Sequence, residues 1–273
     1  MKVCVIGLGE IGYETFKALK KDKDTSLYGV EINKERRLDI VKETLLARIP
    51  VSDKIPKGYD IYIISVYTPK QILDVISNID AINPLIVIES TMLPGETKSI
   101  LERYPNLDLV LFPHRYNPND KEHHVFNLDR IIGASSGDAL ARAVSFYRKF
   151  IPLEKLHLVP LEIAELSKPL ENAYRYIEIA IAEEVKLYCD AMGIDFDTLR
   201  HAMNTKWNID LKEARDGIGL KCLPKDCKFV DSFFKGNYLF KAAMNVDESY
   251  RKNLENNGIK PADYREVNID KEK

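Results

Sequence analysis

The chain opens with Lys2-Val3-Cys4-Val5-Ile6-Gly7-Leu8-Gly9-Glu10-Ile11-Gly12. An apolar run passes directly into three glycines spaced G-x-G-x-x-G, and an amphipathic stretch, Glu10–Lys20, follows. Each glycine has its own task. Gly7 permits a tight turn, Gly9 lets backbone approach a bound group, and Gly12 lets the next helix pack on the strand. Gly9, Glu10, Ile11 and Gly12 then stand at a helix N-terminus, whose unpaired N–H groups and positive dipole end suit a pyrophosphate. Glu31 ends the next apolar run, close to the spacing of about 20 residues expected of an acidic partner for the ribose. A carboxylate there accepts hydrogen bonds from ribose hydroxyls and repels a 2′-phosphate, so the ligand reads as NAD rather than NADP. Lys34, Arg36 and Arg37 lie nearby and soften that preference. Another adenosine ligand, S-adenosylmethionine, stays open as a rival.

Working outward, short β-branched runs recur at Lys2–Gly7, Ser26–Ile32, Asp60–Val66, Leu85–Glu89, Leu107–Phe112 and Arg130–Gly133, with a last one near Lys155–Val159. Helical spacing lies between several of them, at Glu10–Lys20, Lys34–Ala47, Lys70–Ile79, Glu96–Arg103 and Asp138–Phe150. This alternation predicts an α/β fold, a Rossmann-type doubly wound parallel sheet. From Pro160 the pattern changes. Residues 161–192 hold no glycine and read as one long helix stopped by Gly193. Further helices are expected at Asp197–Asn204 and Tyr238–Leu254, with a loop from Ala214 to Phe229 between them. The domain reading is therefore a dinucleotide-binding domain over 1–158, a smaller all-helical central or dimerisation domain over 159–256, and a polar tail over 257–273. An apolar stripe at Ala173, Ile177, Ala180 and Ile181 points to a homodimer.

The composition excludes several classes. Lys and Arg number 40 against 42 Asp and Glu, a formal charge of −2, which speaks against a nucleic-acid partner. No apolar run approaches the roughly 20 residues that span a bilayer, so no membrane partner is expected. The start is a strand and not a signal peptide, and four cysteines show no paired framework, so a reducing cytoplasm is the default. Neither the cysteines nor His114, His123, His124, His157 and His201 have metal-ligand spacing, and no metal is expected.

Four further segments, in chain order, resemble the nucleotide-sugar 6-dehydrogenase family, which includes UDP-glucose and GDP-mannose dehydrogenases. They are Val66-Tyr67-Thr68-Pro69; Glu89-Ser90-Thr91-Met92-Leu93-Pro94-Gly95-Glu96-Thr97; Ala164-Glu165-Leu166-Ser167-Lys168-Pro169-Leu170-Glu171-Asn172-Ala173-Tyr174-Arg175; and Lys221-Cys222-Leu223-Pro224-Lys225-Asp226. The resemblance implies oxidation of the primary alcohol of a nucleotide-linked hexose to the acid, with two NAD reduced. It makes Cys222 the nucleophile that carries a thiohemiacetal and then a thioester. It sets Lys168 and Asn172, four residues apart, at a developing oxyanion. Asp226 would hold Lys168 or a water, Thr91 would hold the same water, and Thr68 and Thr91 would border the cofactor.

The chain also departs from that family. Pro113-His114-Arg115 has histidine where the family has a glutamate that serves thioester hydrolysis. Lys221 stands for a histidine and Cys227 for a proline. Pro169 disfavours helical geometry at Lys168, so the long helix has an alternative start at Pro169. The family's third domain is expected to be missing, since the chain stops soon after Lys241–Asn245, and the reading is a compact form. Asp226 has an alternative role as cap of a helix near Cys227. Two other functions stay open: the same scaffold used for methyl transfer from S-adenosylmethionine, and a non-catalytic NAD-binding protein.

Overall fold

A computed structural model describes residues 1–115, 122–219, 222–234 and 236–263. The chain divides into two compact units, one comprising Met1–Lys168 and the other beginning at Pro169.

The first unit is built on β1 (Lys2–Ile6), β2 (Ser26–Val30), β3 (Val51–Ser52), β4 (Ile61–Ile64), β5 (Leu85–Ile88), β6 (Asp108–Leu111), β7 (Arg130–Ala134) and β8 (Leu156–Leu158). They form one sheet in the order β3-β2-β1-β4-β5-β6-β7-β8. The chain leaves β1 towards one edge and returns to β4 on its other side, which creates the switch point where ligands bind in open α/β sheets. Neighbours are parallel except β6 and β7, which pair antiparallel at Val110 with Ala134 and Leu111 with Gly133. The all-parallel expectation is corrected there. A parallel return needs a crossover, usually a helix, and no helix joins β6 to β7 among the described residues. Strand β3 escaped the sequence reading because two residues carry no periodicity.

Helices cover both faces of the sheet, because alternate residues of each strand point to opposite sides. Val3 and Val5 join Phe16 and Leu19 of α1 (Glu10–Leu19), Ile40 of α2 (Lys34–Thr44) and Phe146 of α5 (Gly137–Tyr147). Cys4 and Ile6 join Ile72 of α3 (Pro69–Ser77), Ile100 of α4 (Glu96–Arg103) and Ala164 of α6 (Leu161–Met192). Helix α6 runs through Pro169 without a break, so the alternative start at that proline is corrected. The missing N–H removes one intrahelical bond. Ala164 and Glu165, both buried in the first unit, hold the turn that precedes it.

The second unit is helical. It holds the rest of α6 together with α7 (Phe196–Asn204), α8 (Cys222–Phe233) and α9 (Leu239–Asn256). Ala173, Tyr176 and Ala180 of α6 form a core with Ile218, Cys227, Val230 and Ala243, and Ile177 packs against it. Three of the four stripe residues read as a dimer surface therefore face inward, and Ile181 alone is half exposed. The expected loop to Phe229 is also corrected, because α8 begins at Cys222. Pro224 misled the reading, although a proline in the first helical turn removes only an N–H that would have no intrahelical partner.

Candidate active site

In the first unit the glycine turn is tied down from both sides. Gly7 donates to the Val30 carbonyl at 2.9 Å and has φ +86°. A Cβ at Gly12 would stand 1.9 Å from the Gly7 carbonyl oxygen, so the turn and α1 touch as backbone. Gly9 caps α1 without any side-chain partner, and a Cβ there would meet nothing within 4 Å. The helix mouth is thus unblocked by protein, which is what a pyrophosphate cradle requires.

Glu31 sits buried beside this turn. Its Oε2 accepts from Leu8 N at 3.0 Å and its Oε1 from Asn33 N at 2.8 Å. The two bonds aim the carboxylate along the edge of the glycine turn. Arg37 is committed elsewhere, donating to the Glu31 and Ile32 carbonyls and pairing with Asp53. Arg36 donates through Nε to the Leu8 carbonyl at 3.1 Å and lies over the Tyr13 ring, 4.7 Å from its centroid. Arg36 therefore borders the turn, a role that its place in a basic run did not disclose.

Thr68 caps α3 in a capping box with Gln71, so its hydroxyl already accepts from Gln71 N. Thr91 is half-buried in the loop after β5. That loop is fixed by Glu165 of α6, whose carboxylate accepts from Gly95 N and Thr97 N, both at 2.8 Å. Lys168 follows Glu165 by three residues, on the same side of α6. His114 follows β6, its backbone N donating to the Glu89 carbonyl. Burial, with Arg130 and Lys168 nearby, holds the His114 imidazole well below its ordinary proton affinity, so it is neutral at pH 7. Beneath it lies a wholly buried ion pair that sequence reading missed. Glu89 Oε2 accepts from Thr15 Oγ1 at 2.7 Å, and its Oε1 faces Arg130 Nη2 at 3.7 Å. Arg130 also donates to the Phe112 and Val125 carbonyls and stacks 3.8 Å from the Phe112 ring centroid. The signal was available, as a lone charge at the head of the apolar run Arg130-Ile131-Ile132-Gly133.

In the second unit Cys222 is the first residue of α8 and is exposed, whereas Cys4, Cys189 and Cys227 are buried. Burial pushes the Cys227 thiol up to about 12. Lys221 lies outside the described residues. Asp226, one turn along α8, is buried and accepts from Asn172 Nδ2 at 2.5 Å, while Lys225 Nζ lies 3.2 Å from its other oxygen. Asp226 is therefore inside a helix rather than capping one, and one Asn172 proton is already given to it. A cavity of about 790 Å³ lies in this unit, lined by Arg175, Lys212, Gly217, Gly219 and Leu223 among others.

Residues 162–249 match the model of the UDP-glucose/GDP-mannose dehydrogenase family, central domain. A UDP-N-acetyl-D-mannosamine dehydrogenase of Methanococcus maripaludis is 28% identical over 91% of this chain, and one of Methanococcus vannielii is 30% identical over 84% of it. The chain spans 65% and 61% of the lengths of these two relatives. The solved structure of a UDP-D-ManNAc dehydrogenase from Pyrococcus horikoshii superposes with a TM-score of 0.81 at 26% identity, covering 96% of this chain and 73% of that one. With the glycine turn, Glu31 and the Cys222–Asp226 turn in place, the chain is similar to members of the UDP-glucose/GDP-mannose dehydrogenase family, most directly over the central-domain residues 162–249.

Proposed function

We propose that this protein is an NAD-dependent dehydrogenase that oxidises the primary alcohol of a nucleotide-linked sugar, through to the acid by way of a Cys222 thioester. The observation that carries the reading is the pairing, in one chain, of an unblocked glycine turn edged by Glu31 with an exposed cysteine backed by the Asn172–Asp226 pair. The names of the relatives favour hydride transfer over methyl transfer. NAD, when bound, supplies the hydride acceptor. Gly9, Glu10, Ile11 and Gly12 would hold its pyrophosphate and Glu31 its adenosine ribose. Lys168 would take the alcohol proton and then hold the charge on the oxygen. With a first hydride passed from the alcohol carbon to one NAD the aldehyde would form; Cys222 sulfur would then add to it, and loss of a second hydride to a second NAD would leave a thioester. Water then displaces the thiol, with Asp226 and Thr91 orienting the groups involved. The compartment proposed is the cytoplasm; among the described residues no helix is long and apolar enough to cross a membrane.

Calorimetry with NAD, NADP and S-adenosylmethionine separately tests the cofactor. NAD is expected to bind at least about tenfold more tightly than NADP, a difference of about 1.4 kcal/mol. In Glu31→Ala that margin should shrink to near parity. Binding of S-adenosylmethionine without NAD would sink the reading.

The proposal includes a homodimer. Tyr174, Ile181, Tyr188 and Met192 are all at least half exposed and recur along one face of α6 at helical spacing. Such a stripe on a soluble helix favours burial against a second copy. Sedimentation at micromolar concentration should give twice the 31.3 kDa chain mass. A single-chain mass there would refute it.

A further inference from the structure

The short loop that leads to Cys222 is held by α9. Tyr250 Oη donates to the Arg215 carbonyl at 2.7 Å. Ile218 N donates to Asp247 Oδ1 at 2.9 Å, and the Ile218 carbonyl accepts from Arg251 Nη2 at 2.7 Å. Gly217, at φ +93°, lies so close that a Cβ would touch the Arg251 side chain at 3.2 Å. Ala262, which accepts from Arg251 Nη1, donates in turn to the Asp216 carbonyl. Arg251 Nε bridges both oxygens of Asp247, at 3.1 and 3.0 Å, and Tyr176 Oη of α6 donates to the same carboxylate. Every loop residue from Arg215 to Ile218 therefore ends on α9 directly or through Ala262.

Behind this clamp sits Glu183 of α6, fully buried. Burial and the neighbouring Asp247 push its carboxyl up to about 8, against a smaller opposing effect of Arg251. The groups facing it are Asp247, Tyr250 and Arg251 from α9; Tyr250 also senses Asp190 of α6 and Asp216 of the loop, and Cys227 of α8 senses Asp247. At neutral pH Glu183 therefore keeps its proton, while Arg251 pairs with Asp247.

We propose that Asp247 and Arg251 are positioning residues for Cys222, fixing the 215–219 loop and through it the mouth of α8. Neither side chain need touch substrate. Both act through the loop, which also lines the cavity of this unit. Above a pH of about 8, ionised Glu183 sets two carboxylates against one guanidinium, and the clamp loosens. Because the folded chain holds this proton more tightly than an unfolded one, stability falls as pH rises from the ordinary carboxyl range towards that value and levels off beyond it.

The inference rests on Cys222 being the nucleophile, and the test separates the two ideas. Asp247→Asn keeps an acceptor for Ile218 N and discards the charge, and Arg251→Met removes the clamp cation. Both are expected to lower kcat for acid formation about 10- to 100-fold, with NAD affinity and the KM for NAD unchanged. Glu183→Gln should match the parent near pH 7 and exceed it above about pH 8, so the ratio of their Cys222 alkylation rates should change there. Parental kcat and alkylation profiles in folded Asp247→Asn and Arg251→Met would overturn the proposal. If either variant fails to fold, a Glu183→Gln ratio that stays flat from about pH 6.5 to about pH 9.5 overturns it instead. A parent enzyme indifferent to Cys222→Ala would show that the underlying nucleophile reading had failed.

Discussion

Gly9→Val is expected to abolish NAD binding while leaving the thermal midpoint where it is. The substituted carbon meets no protein atom within 4 Å, and the backbone at Gly9 has an ordinary φ of −65°. The side chain would fill only the space that a pyrophosphate must enter. Affinity should fall at least about 100-fold, or about 2.7 kcal/mol. The neighbouring glycines should behave in the opposite way. Gly12→Ala drives a carbon to 1.9 Å from the Gly7 oxygen, and Gly7→Ala puts one 2.3 Å from the Ser65 oxygen at a left-handed φ. Each should lower the midpoint by on the order of 10 °C. Calorimetry and a thermal melt on the three variants check this. NAD binding by Gly9→Val within about threefold of the parent would remove the pyrophosphate site from this turn.

Cys222→Ala should reduce acid formation by at least about 1000-fold, because no other exposed thiol is present to form the thioester. Cys222→Ser should stop at the aldehyde or at a slowly hydrolysed ester. In the parent, Cys222 should alkylate on the order of 100 times faster than Cys4, Cys189 and Cys227, which are buried. The low proton affinity of His114 adds a further expectation. A neutral imidazole that resists protonation is a poor base for the water that attacks a thioester. Thioester should therefore accumulate during turnover and be seen as a mass adduct on the Cys222 peptide. Undiminished acid formation by Cys222→Ala would refute the nucleophile assignment.

The sheet was legible because β1, β4 and β5 are apolar on both faces and the first two glycines stand where a strand must turn. The long helix was legible because no glycine interrupts residues 161–192. What stayed hidden depended on partners distant in sequence. The antiparallel turn of β7 goes with a connection that shows no helix among the described residues, which no property of Arg130–Ala134 reveals. The start of α8 was obscured by Pro224, which reads as a breaker until it is known to lie in a first turn. At the site, Glu31 and Cys222 could be named from motifs. Glu165, a cap for a helix about 70 residues away, could not, since its partners Gly95 and Thr97 contribute only backbone N–H groups. The same holds for the hold of Asp247 on the loop, which is made through the amide of Ile218.

Arg130 has a consequence for how this chain tolerates change. Its guanidinium grips the carbonyl of Phe112, where the chain leaves the sheet, and that of Val125, shortly before it returns. One side chain thus pins both ends of the connection, and the sheet register does not depend on how many residues run between them. Closing a longer connection is cheap, about 0.6 kcal/mol for each doubling of length. The exposed pair Glu122 and His123 is accordingly the place to splice in a peptide tag or a reporter sequence. Such an insertion should spare His114 and the Glu89 pair, provided Arg130 is left alone. Removing that arginine would turn a tolerant junction into a fragile one, with a buried glutamate left facing no cation.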